Sequence, residues 1–110
     1  MVLSLILTVV LGAAIAGAAA GIVTAVKRIT YTLIMDFFLS RWRHVRDNPG
    51  LVRVTADVTS AIQGGDVKRI HTGLFDQVRQ EFVESSIYES SSVDPVIARA
   101  HGDRKVVIWD

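Results

Sequence analysis

Three histidines, His44, His71 and His101, are the side chains best placed to exchange protons near neutral pH, and the chain has no cysteine. The missing thiols exclude disulfides, thiol nucleophiles and Cys-ligated metals. The histidines do not form an H-E-x-x-H pair or any other ligand spacing. His71 is expected at the polar edge of a helix as an ordinary surface residue, and His101-Gly102-Asp103 reads as a helix end followed by a turn. The serines between Ser85 and Ser92 lack a G-x-S-x-G context. Glu81, Glu84 and Glu89 have no matching acids at di-metal spacing, and Gly64-Gly65 is better explained as a cap and hinge than as a phosphate loop. Asp36 is the one ionisable residue inside an apolar run, where pairing with Arg43 or with a partner is favoured over proton transfer. The residues therefore point away from an enzyme, with no catalytic residue, metal or cofactor expected.

The basic residues cluster. Between Lys27 and Arg46 stand five basic residues and one acid, whereas seven basic and ten acidic residues follow from Asp47 to Asp110. Lys27, Arg28, Arg41, Trp42, Arg43 and Arg46 form a basic, aromatic-bearing stretch of the kind that sits at a membrane interface and meets anionic lipid headgroups. Nucleic acid is the weaker reading of the same arginines.

What must position these residues is an unusual N-terminus. Met1 to Val26 contains no charged residue, although the chain as a whole is 21% charged. Twenty-five uncharged residues, Val2 to Val26, would make a helix of about 37 Å at ~1.5 Å per residue. That suffices for a hydrocarbon core of about 30 Å. The expectation is a transmembrane helix over residues 1–28. A cleaved signal peptide is the rival, and it lacks the basic n-region that normally precedes the apolar run. Ala13, Gly17 and Gly21 recur every four residues, with Gly12, Ala16 and Ala20 as a parallel row. Such small-residue strips let helix backbones approach closely in lipid, so Ala13, Gly17 and Gly21 are the expected helix-packing face. The basic flank after the span places the N-terminus outside and the tail on the cytoplasmic or interior side.

Residues 29–47 read as an amphipathic basic juxtamembrane helix ended by Asn48-Pro49-Gly50. Residues 48–110 read as a small polar tail, too short to be robust alone, since a domain near 60 residues buries only about 60% of its unfolded surface. Leu51, Val54 and Val58 suit a helix from Asn48-Pro49 to Gly64, with a strand as the rival because Val52, Val54, Ala56 and Val58 alternate. Val67, Ile70, Leu74, Val78 and Phe82 predict an amphipathic helix from Asp66 to about Tyr88, hairpinned to the preceding element through Gly64-Gly65. Asp94-Pro95 and Gly102 bracket a short helix. The apolar run Val106-Val107-Ile108-Trp109 predicts a terminal strand that docks on residues 51–58, if those are extended, or on a partner.

The fold class expected is mainly α: one membrane helix, a juxtamembrane helix, and a helical tail that becomes α+β if residues 51–58 are a strand. The function expected is a non-enzymatic single-pass membrane subunit. It would assemble with other membrane-protein subunits or copies of itself in the bilayer of a membrane complex or membrane-containing virion. An oligomeric pore former of the phage holin type is the alternative.

Overall fold

The computed structural model describes residues 2–20, 23–59 and 67–109, and its architecture is α+β rather than mainly α. Gly21, Gly64-Gly65 and Asp66 lie outside the described residues. The apolar N-terminus is divided between two elements: helix α1 covers Val2–Ala20, and strand β1 covers Val23–Ala25. The uncharged run therefore does not continue as one helix to Val26. Among the described residues no helix is long and apolar enough to cross a membrane. This corrects the transmembrane helix, the single-pass membrane location and the orientation inferred from its flanks. The apolar side chains that suggested lipid instead meet protein: Val10 and Ala14 are fully buried against a sheet.

Helices α2 (Tyr31–Leu39) and α3 (Trp42–Asp47) follow. Thr30 starts α2, its Oγ1 accepting from the Leu33 amide at 3.0 Å, which satisfies one of the orphan donors of the first turn. The helix buries Ile34, Phe37 and Phe38 on one stripe. Strand β2 (Leu51–Asp57) lies where a helix was the favoured expectation, so the alternation of Val52, Val54 and Ala56 was the truer signal.

The larger correction is at residues 66–88. The expected long helix is two strands, β3 (Lys68–Asp76) and β4 (Glu81–Ser90), paired antiparallel around a tight turn. Asp76 builds the turn: its Oδ1 accepts from the amides of Val78 and Arg79 at 2.9 and 3.1 Å, and Gln80 adopts a left-handed φ of 58°. Helix α4 (Pro95–His101) stands where Asp94-Pro95 and Gly102 bracket it, with Asp94 Oδ1 accepting from the Val96 amide at 3.0 Å. Strand β5 (Val106–Trp109) closes the chain on β2.

The strands form one five-stranded mixed sheet in the order β1-β4-β3-β2-β5, in which only the β1–β4 pair is parallel. Both faces are covered. Val54, Ala56, Phe75, Ile87 and Val106 turn towards α1, whereas Leu51, Ile70 and Leu74 turn towards α2 and α4. Arg69 through Phe75 is therefore buried at every position. A strand covered on both sides loses the polar–apolar alternation that would announce it.

Candidate assembly face and the Asp57 cleft

Helix α1 has two different sides. Val10 and Ala14 point into the sheet, with Leu11 and Ala13 partly covered beside them. On the opposite side Val9 is 36% and Ile15 41% exposed, and Thr8, Gly12 and Ala16 are exposed between them. These residues recur at spacings of three and four, so they form one continuous apolar strip. A Cβ built on Gly12 would meet nothing within 4 Å, so the backbone there is open to close approach. The two small-residue rows of the sequence thus separate. Ala13 and Gly17 are half-buried on the domain's own sheet, and Gly12 and Ala16 face out.

Gly17 lies over His71. A Cβ at Gly17 would stand 3.4 Å from His71 Nε2. His71 is only 1% exposed, which corrects its expected surface position. Its ring tilts against Phe82 at 4.3 Å between centroids, and its Nδ1 has no hydrogen-bond partner. Burial alone pushes the imidazole down to about 4. Only a β3 strand beneath a helix could bury this ring, so the helical periodicity read across Ile70 and Leu74 could not reveal it.

On the other side of the sheet, a cleft of about 170 Å³ is lined by Asp57, Lys68, Ile70, Ile97 and His101, with Gly102 at its rim. His101 Nδ1 lies 3.2 Å from the Arg104 carbonyl and Nε2 lies 2.9 Å from Thr55 Oγ1. A carbonyl can only accept, so Nδ1 carries the proton and Nε2 takes the Thr55 hydroxyl hydrogen; this tautomer is assigned from the network. Thr55 Oγ1 in turn accepts from Trp109 Nε1 at 2.7 Å. Trp109, Thr55, His101 and the Arg104 carbonyl form one saturated chain. Burial holds the His101 pKa below its ordinary value, against the opposing pull of Arg104 and Asp57. Neither ring nitrogen has a free lone pair to act as a base.

Asp57 shares the cleft lining with His101 and Lys68. Burial raises its pKa, but the Thr59 hydroxyl and amide, with Lys105 and His101 nearby, outweigh that and hold the carboxyl below its usual range. A cleft of this volume is smaller than the ~300 Å³ at which small-molecule sites begin. The arrangement is a structural knot that ties α4 and β5 to β2. Replacing Thr55 with Val keeps the shape but leaves His101 Nε2 and Trp109 Nε1 without partners. Thr55→Val is expected to cost about 2 kcal/mol in urea unfolding. A loss below about 0.5 kcal/mol would show that the chain contributes little.

Two of the five basic residues between Lys27 and Arg46 form ion pairs within the fold. Arg41 pairs with Glu84 of β4 at 3.3 Å, donates to the Phe37 carbonyl at 3.0 Å and lies 3.9 Å over the Phe37 ring. Arg46 pairs with Asp47 at 3.0 Å and covers Trp42 at 4.5 Å. Lys27, Arg28 and Arg43 are exposed, as is Asp36. His44 lies on exposed α3, with Nδ1 3.9 Å from Glu84. Val106 is buried under α1, Val107 and Ile108 are half-covered, and Trp109 sets its ring edge against Tyr31 at 6.1 Å. Among the described residues no group of three or more His, Asp or Glu could hold a metal ion.

No protein-family model, curated protein or solved structure matches the chain.

Proposed function

We propose that this chain is a non-enzymatic assembly module whose copies join through the outer face of α1. The observation that carries this reading is the helix itself. It is uncharged along its whole length, it buries Val10 and Ala14 completely, and it still leaves Val9 and Ile15 more than a third exposed. A helix that is apolar all round is normally covered all round. The sheet covers one side, so the other calls for a second surface. The saturated His101 network and the small Asp57 cleft support a structural rather than a catalytic role.

The second surface proposed is another copy of the same face. The strip carries no charge with which to select a foreign partner, and an uncharged apolar strip can meet its own copy across a two-fold axis with no like-charge repulsion. Gly12 and Ala16 let two α1 backbones approach, while Val9 and Ile15 of each copy fill the flanks. A single helix pair lies at the low end of specific interfaces, below about 1,200 Å² in total, so the dimer is expected to be reversible and concentration-dependent.

The test is sedimentation of the wild type beside Gly12→Glu. The glutamate meets open space within its own domain, so the fold should persist by circular dichroism, while a charge at the centre of the strip should abolish association. A wild type that stays monomeric at every concentration, or a Gly12→Glu chain that dimerises as well as the wild type, overturns the reading.

A further inference from the structure

Beneath α1 the sheet holds a polar ring in an apolar place. His71 is fully covered, and Gly17 of α1 lies directly over its Nε2. Its cross-strand neighbours are Ala56 on β2 and Ile87 on β4, and Phe82 lies against its ring. No charged residue reaches it from α1, which has none, or from Val54 and Ala56 of β2 and Val58 just beyond it, which share its face. The charges next along that face are Arg69, two residues from His71 on β3, and its cross-strand partner Glu89, and they neutralise each other through a 2.9 Å ion pair. The ring therefore sits with one nitrogen unpartnered and no anion to receive a positive charge. A second proton on this ring requires water, and the direct route for water is the removal of Gly17.

We infer that His71 is an acid-sensitive latch: α1 stays on the sheet while the ring is neutral and is released from it when the ring is protonated. The fold permits this motion. Helix α1 packs on the sheet through the apolar cluster around Val10 and Ala14, whereas β1, the next element along the chain, is held to β4 by backbone pairing. The helix can leave while the five strands persist. Release would uncover Val54, Phe75 and Ile87 together with the inner side of α1. The inference stands whether or not the outer side of α1 binds a second copy.

Native-state hydrogen exchange, corrected for the intrinsic pH dependence of exchange, reads the latch directly. With the covered ring titrating near 4 and the uncovered one near ~6.5, protection of the α1 amides should fall about twentyfold between pH 7 and pH 5. Amides of β3 and β4, which exchange only through global unfolding, should stay far better protected than those of α1 at both pH values. In His71→Leu the α1 amides should show no such fall; His71→Met serves the same purpose if the leucine chain does not fold. Three results would overturn the latch. One is protection in α1 as high as in β3–β4 at both pH values, which means that α1 leaves the sheet only with global unfolding. Another is unchanged α1 protection in the wild type. The third is the same fall in both the wild type and the variant that lacks the imidazole.

Discussion

Taking the protein from pH 7 to pH 4 is expected to cost the fold about 3 kcal/mol, most of it through His71. The folded ring takes its proton only near pH 4, whereas an unfolded histidine takes it near ~6.5. Below ~6.5 the unfolded chain therefore binds more protons than the folded one. The stability is complete above that value and drains away as the pH falls towards 4. His101, also held below its ordinary value, adds a loss of the same sign. Urea unfolding of wild type and His71→Leu at both pH values isolates the term. The variant should retain most of the 3 kcal/mol at pH 4. It should also gain about 1 kcal/mol at pH 7, because it no longer buries an unsatisfied nitrogen. If the leucine chain is as acid-labile as the wild type, the loss belongs to other groups.

The second large effect is expected at Gly73. It pairs with Val54 on one side and Ser85 on the other, in the middle of the sheet. A Cβ there would lie 2.7 Å from Phe82 Cδ1 and 2.8 Å from the Glu84 carbonyl oxygen. The ring has little freedom to retreat, since it is packed between His71 at 4.3 Å and Phe75 at 5.1 Å. The carbonyl belongs to the backbone of β4, next to the register shift between Leu74 and Phe75, so relief requires moving the strand. Gly73→Ala should cost about 3 kcal/mol in guanidinium unfolding, at the upper end for overpacked interiors. A loss under about 1 kcal/mol would mean that the bulge absorbs the methyl group.

Those two residues also mark where the sequence stops being readable. The elements with their own punctuation could be found locally: Thr30 caps α2, Asp94-Pro95 and Gly102 bracket α4, and Val106 to Trp109 is strand-prone throughout. The β3–β4 hairpin could not, because burial on both faces removed its alternation. Ile70, Leu74 and Val78 then happened to repeat every four residues, and Val78 is in fact 85% exposed at the turn. The turn itself, Asp76 to Gln80, holds no glycine or proline to interrupt that periodicity. The N-terminus failed differently. An apolar run looks the same whether lipid or a sheet will cover it, and the parallel pairing of Val23 with Ile87 spans more than half the chain. For the candidate face, the residue types were legible but their direction was not. Two small-residue rows lie side by side on α1, and only the packed domain shows that Gly17 turns in towards His71 while Gly12 turns out.

The outer strip of α1 is proposed to meet its own copy. The chain has no cysteine, so a single engineered thiol reports its neighbours cleanly. Ile15→Cys places that thiol on the exposed strip, and Val78→Cys places an equally simple control at the 85% exposed β3–β4 turn. The measurement is the rate of covalent dimer formation under mild oxidation in dilute solution. If α1 is the assembly face, the Ile15→Cys chain cross-links rapidly and nearly completely while the Val78→Cys chain stays monomeric. If both chains cross-link at the same slow, collision-limited rate, the face meets no copy of itself and the assembly reading is wrong.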